Sequence, residues 1–149
     1  MSLKQRIQTE GNAALRAGDK PRLAAIRLAL AAIKQQEVDT RSELDDDAVQ
    51  AIVTKLIKKG RDAAAQFEAG GRQDLAAKEL SEVGVLETYL PTQLTEPELR
   101  ALIDRAIAET GAQNARDIGK VIGYIKREAA GRADLGAASA IVRDVLPRA

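Results

Sequence analysis

Tyr89-Leu90-Pro91-Thr92-Gln93-Leu94-Thr95-Glu96-Pro97-Glu98-Leu99 holds a helix stop followed at once by a helix start. Pro91 lacks the backbone donor that a helix interior needs, and it disfavours helical geometry at Leu90. Thr95 and Glu98 have the spacing of a capping box, and Pro97 falls in the first turn, where a missing N–H is tolerated. The pair predicts a joint at residues 91–94 between an N-terminal helical domain, 1–90, and a C-terminal domain, 95–149.

Upstream of that joint, apolar residues recur with a period near 3.6, and Ala, Leu, Glu, Lys, Gln and Arg dominate, so the reading is all-α. Ser2 can cap a first helix with Gln5 reaching back, and Leu3, Ile7 and Leu15 lead to a stop at Gly18. Asp19 caps a second helix with Pro21 in its first turn and an apolar stripe of Leu23, Ile26, Leu30 and Ile33. The stripe ends around Thr40, Arg41 and Ser42. Asp45, Asp46 and Asp47 open a third helix that places Val49, Ile52, Val53, Leu56, Ile57 and Phe67 inward and closes at Gly70-Gly71. A fourth helix, from about Gln73 to Tyr89, uses Leu75, Val83, Leu86 and Leu90.

Downstream, Leu99, Leu102, Ile103, Ala106 and Ile107 run to Gly111. Asn114, with Asp117 three residues on, begins a sixth helix carrying Ile118, Val121, Ile122 and Ile125 as far as Gly131. Asp134 caps a seventh with Leu135, Ile141, Val142, Val145 and Leu146, stopped by Pro147. The expected architecture is four helices, a proline-marked hinge and three shorter helices.

Composition narrows the function. The chain has Cys 0 and His 0, which excludes Ser-His and Cys-His nucleophile pairs, zinc fingers and disulfide frameworks. Lys+Arg 23 against Asp+Glu 22 leaves +1, so no global field draws the chain to nucleic acid or membrane. The longest apolar run, Leu28 to Ile33, is far short of a bilayer span. Met1-Ser2-Leu3-Lys4-Gln5 contains no apolar signal region, which leads to the expectation of a cytoplasmic protein with no membrane partner. No cofactor or metal site is expected: the trio Asp45–Asp47 lacks the alternation and turn glycine of a calcium loop, and helix-dipole capping explains it.

Charge is local instead. Lys55, Lys58, Lys59 and Arg61 form one basic stretch, with no acid between Gln50 and Arg61. The first three share a helix face, which reads either as a solvated surface or as a phosphate-tracking ridge. Arg116, Lys120, Lys126, Arg127 and Arg132 form a second cluster, against Asp117 and Glu128. It surrounds Ile118-Gly119-Lys120-Val121-Ile122-Gly123-Tyr124, where two glycines at i and i+4 lie on one face at a cost of about 1 kcal/mol each against alanine. Either another helix packs closely there, or another molecule's backbone approaches with Lys120 beside the gap.

Arg22-Leu23-Ala24-Ala25-Ile26-Arg27, Ala31-Ala32-Ile33-Lys34, Glu37-Val38-Asp39, Gln66-Phe67-Glu68-Ala69-Gly70-Gly71-Arg72-Gln73-Asp74-Leu75, Tyr89-Leu90-Pro91-Thr92-Gln93-Leu94, Asp117-Ile118-Gly119-Lys120-Val121-Ile122-Gly123 and Gly131-Arg132-Ala133-Asp134 closely resemble the GatB/YqeY-like family in its stand-alone form. The resemblance spans nearly the whole chain in order. It implies a helical N-terminal domain and a three-helix C-terminal domain similar to the tail of the B subunit of tRNA-dependent amidotransferase. That tail is implied to touch tRNA, which carries Gly119, Lys120, Gly123 and Arg132 over as the nucleic-acid-facing set. Gly60, after Lys58-Lys59, and Tyr124-Ile125-Lys126-Arg127-Glu128, after Gly123, depart from the family pattern.

The implied label, a carbon–nitrogen ligase with glutamine as amide donor, finds no catalytic residues here. None of Ser2, Ser42, Ser81 and Ser139 lies beside a lysine in a glycine-serine-rich motif, and no nucleotide-phosphate cradle is present. The expectation is an accessory protein for tRNA or other structured RNA. It would read shape and backbone rather than DNA sequence. An adaptor for amidotransferase or synthetase subunits is the alternative, and a part in the carbon–nitrogen ligase itself ranks third.

Overall fold

The computed structural model describes residues 1–129 and 131–148, and these are helical, with no strand among the described residues. Seven α-helices follow in order: α1 (Leu3–Ala17), α2 (Lys20–Thr40), α3 (Asp46–Ala69), α4 (Gln73–Glu87), α5 (Glu96–Thr110), α6 (Ile118–Ala129) and α7 (Leu135–Val145). They divide between two compact units, Met1–Leu90 and Pro91–Ala149.

In the N-terminal unit the predicted caps form. Gln5 N donates to Ser2 Oγ at 3.1 Å while Ser2 N donates to Gln5 Oε1 at 2.9 Å, and Gly18 ends α1 at φ +70°. Asp19 caps α2 by accepting from Arg22 N, and Asp45 caps α3 by accepting from Ala48 N. Helix α2 ends at Thr40, as the end of its apolar stripe predicts. Arg41 closes it at φ +53°, the one non-glycine residue with positive φ among those described, and its N–H donates to Glu37 O.

Ile7, Ile26, Ile33, Val49 and Val53 are fully buried, and Ile57, Val83, Leu86 and Tyr89 join them. Two glycines set how closely these helices approach. A β-carbon on Gly11 of α1 would stand 2.9 Å from Ile26 Cγ2 of α2, and one on Gly60 of α3 would stand 2.7 Å from Val83 Cγ2 of α4.

Three expectations are corrected in this unit. Leu15 is 57% exposed, because the inward line of α1 is Ile7, Gly11 and Ala14, and Leu15 lies at its edge in the last turn. Phe67 is only partly buried and lies outside the core cluster. Helix α4 stops at Glu87, and the turn that follows swings Tyr89 into the core, 2% exposed. Arg6 covers that ring at 4.9 Å from its centroid and also donates to Thr88 O.

In the C-terminal unit, Glu98 N donates to Thr95 Oγ1 and Thr95 N to Glu98 Oε1, completing the capping box. The helix expected from Asn114 is instead a 3-10 turn, Ala115–Asp117, followed by α6. Asn114 Oδ1 accepts from Arg116 N, and Asp117 Oδ2 accepts from Gln113 N, which tightens the entry. Ile103, Ala106, Val121, Ile125, Ala138 and Val142 are fully buried, with Leu102 and Leu146 beside them. Val145, read as inward, is 48% exposed; the extended Leu146 after α7 fills the core instead.

Two predictions follow from the N-terminal unit. Gly60→Val drives a branched side chain into Val83 and should cost about 1–3 kcal/mol, read as a lower urea midpoint. Glu37 accepts Lys4 Nζ at 2.8 and 3.0 Å and Leu44 N at 3.0 Å, and its carboxyl is held below the ordinary range, by Lys4 first. Its contribution is therefore complete above the ordinary carboxylate pKa and lost as pH falls through the lowered folded value. Urea midpoints measured from neutral to acid pH should fall less steeply in Glu37→Gln than in the parent.

Candidate nucleic-acid interface

Helix α6 buries Val121, Ile125 and Ala129. At about 100° per residue, Lys126, Gly119, Gly123, Arg127 and Lys120 follow one another across an arc of about 120° on the opposite side. The two glycines are thus flanked by Lys126 on one edge and by Arg127 and Lys120 on the other.

A β-carbon built on Gly119 or Gly123 meets no heavy atom within 4 Å. Helix packing within the C-terminal unit therefore does not account for them, in contrast to Gly11 and Gly60 in the N-terminal unit. Neither has the positive φ that would demand glycine. What they leave is a strip of uncovered backbone on a basic face.

Among the described residues, Arg116, Lys126 and Arg127 make no ion pair, and their side chains are exposed. Lys120 Nζ stands 3.8 Å from Asp117 Oδ1, beyond hydrogen-bond range. Asp117 forms a loose ion pair with Lys120 while its other oxygen accepts from Gln113 N–H, and its carboxyl is held below the usual range chiefly by that N–H, with the Lys120 charge adding to it. Glu128 lies outside the arc. Lys126 and Arg127 keep the face positive.

Arg132 is placed differently from the sequence expectation. Its Nε donates to Thr92 O at 2.8 Å, its carbonyl accepts from Leu94 N at 2.8 Å, and Gln93 Nε2 donates to Gly131 O at 3.0 Å. This arginine fastens segment 91–94 to the turn between α6 and α7, where Gly131 takes φ +85°. Nothing in the sequence signals a bond across forty positions.

The α3 stretch is also trimmed. Arg61 pairs with Glu87 of α4, and Gly60 serves the packing against Val83. Lys55, Lys58 and Lys59 are exposed, with no ion pair among the described residues. Those residues also contain no group of acidic side chains placed to hold a metal ion, and no helix long and apolar enough to cross a membrane.

The family model described as Yqey-like protein matches residues 4–146. The chain belongs to the YqeY-like family. Similar curated proteins include "Altered inheritance of mitochondria protein 41, mitochondrial" of Eremothecium gossypii, 33% identical over 141 residues, 91% of this chain and 76% of the relative. The protein of that name from Pyrenophora tritici-repentis is 30% identical over 131 residues, 86% and 71% respectively. The one from Kluyveromyces lactis is 36% identical over 77 residues, where the match spans 51% of this chain and 42% of the relative.

These names overturn the expectation of a cytoplasmic protein, since the relatives are named as mitochondrial. The expectation rested on a missing apolar signal region, and mitochondrial targeting segments are amphipathic and arginine-rich, so that test was blind to them.

Within this YqeY-like chain the glycine strip is open to direct measurement. Gly119→Ala and Gly123→Ala should each stabilise the C-terminal unit by about 0.5–1 kcal/mol, since they add helix propensity in empty space. A destabilised alanine variant would show that something covers the strip. Arg132→Ala should speed proteolytic cleavage within 91–94, by releasing the Thr92 carbonyl.

Proposed function

We propose that this YqeY-like protein is an accessory binder of structured RNA, tRNA foremost, and that the outward face of α6 is its contact surface. The observation that supports this reading is the uncovered backbone at Gly119 and Gly123 between Lys120, Lys126 and Arg127. Helical glycines cost stability, and the open space beside Gly119 and Gly123 leaves them no packing role within the C-terminal unit. A sugar–phosphate backbone can lie against such a strip with cations on either side.

The mode is contact with shape and backbone rather than stacking. Of the three aromatic residues, Tyr89 is buried and Phe67 and Tyr124 are partly buried, so no exposed platform exists on which single-stranded bases could stack. Resemblance to the amidotransferase B-subunit tail supports tRNA in particular, although the names of the mitochondrial relatives speak of no RNA. The protein acts as a binder beside an enzyme: the purified chain with glutamine, ATP and mischarged tRNA should yield no amidated product.

Lys120 and Arg127 are the clean pair to remove, because Arg132 also holds segment 91–94. Lys120→Ala with Arg127→Ala should weaken binding of fluorescent tRNA. It should lower the slope of log affinity against log salt by about 1.4–1.8, with helicity unchanged by circular dichroism. Gly123→Leu should weaken binding with every charge retained. Curves unchanged by both variants would refute the assignment, and loss of a protein partner with unchanged tRNA binding would favour the adaptor reading.

A further inference from the structure

We infer that α3 carries a second RNA-backbone contact, made by Lys55, Lys58 and Lys59 and separate from the α6 face. The inference rests on the RNA reading above and adds a site on the other unit.

Helix α3 buries Val49, Ile52, Val53, Ile57 and Ala64. On the opposite side, within an arc of about 100°, lie Ala51, Lys55, Lys58, Lys59 and Asp62. The three ammonium groups make no ion pair among the described residues, although the chain has an acid for nearly every base. Arg61, their neighbour, pairs with Glu87. Lys55 with Lys58, and Lys55 with Lys59, are like charges at i,i+3 and i,i+4, an arrangement that destabilises a helix. An anionic partner reverses that penalty.

The rest of the face selects the partner. A membrane-binding helix backs its cations with large apolar side chains that enter the lipid, and here the neighbours are Ala51 and Asp62. A protein interface draws its affinity from buried aromatic and arginine anchors, and this face has none. Lysines are compact point charges on flexible stems, suited to following phosphates without fixed geometry. Lys55 and Lys59 stand one turn apart, about 6 Å along the axis, so neighbouring side chains can reach successive phosphates of one strand. Gly60 shows why the stretch ends at three. Its place is taken by packing on Val83, so the ridge gives way to the helix pair beneath it.

The test uses the full chain and fluorescent tRNA over a range of salt concentrations. Lys55→Gln, Lys58→Gln and Lys59→Gln combined should lower the slope of log affinity against log salt by about 2.1–2.7. The corresponding triple arginine variant should keep the parental slope, and Asp62→Asn should tighten binding. The Lys120→Ala/Arg127→Ala variant is measured in parallel. If the glutamine variant keeps the parental slope while the α6 variant loses its share, the α3 site is refuted and the α6 reading stands. If neither variant changes binding, both fall together. If the glutamine variant loses adhesion to phosphatidylserine vesicles but keeps its tRNA slope, the ridge serves a lipid surface and the inference is overturned.

Discussion

Gly60 and Val83 meet so closely that a side chain at position 60 would force α3 or α4 to shift, and Gly11 sets the same constraint on α1 against Ile26 of α2. This closeness follows from composition. With Phe 1, Tyr 2 and Trp 0, the chain has almost no bulky side chains with which to fill the space between helices. Alanine, valine and isoleucine must fill it, and they reach interior packing density only if the backbones come near. Close packing of this kind sets a substitution at Gly60 directly against Val83 of the core.

The same residue type then takes a second meaning. Gly119 and Gly123 have the i,i+4 spacing of a packing pair but face outward into open space. From sequence, the packing and the exposed readings were equivalent, because periodicity reports which residues share a face and says nothing about what opposes that face. The inward positions of α6 settled the direction: once Val121 and Ile125 occupy the core, the glycines cannot. The ambiguity was resolved by tertiary context alone.

Other features divide along the same line between local and distant causes. Helix class, the capping boxes at Ser2–Gln5 and Thr95–Glu98, and the stops at Gly18 and Gly111 are local, and they could be read from neighbouring residues. The burial of Tyr89 and the attachment of Arg132 to Thr92 depend on partners remote in sequence. Arg132 shows the consequence for function. A basic residue inside a basic cluster reads as a ligand contact, yet its Nε is committed to a backbone carbonyl. Its removal would alter both charge and the order of segment 91–94, so an effect on binding would not identify a phosphate contact.

Net charge conceals a comparable division. A total of +1 suggests indifference to polyanions, but averaging is the wrong operation for short-range electrostatics. At physiological ionic strength, charges separated by more than about 8 Å are largely screened from one another. What an approaching phosphate experiences is the nearest face. On α6 the nearest acid, Asp117, is held by the Gln113 N–H, while Glu128 projects off the arc; on α3 the three lysines share their face with Asp62 alone. Acids elsewhere serve as caps, as Asp19, Asp45 and Asp134 do, or as clamps, as Glu37 does for Lys4 and Leu44. Several acids are thus engaged in structural contacts, while Lys55, Lys58, Lys59, Lys126 and Arg127 make no ion pair among the described residues. The near-neutral total is compatible with local positive faces because charge is distributed face by face and not evenly over the surface.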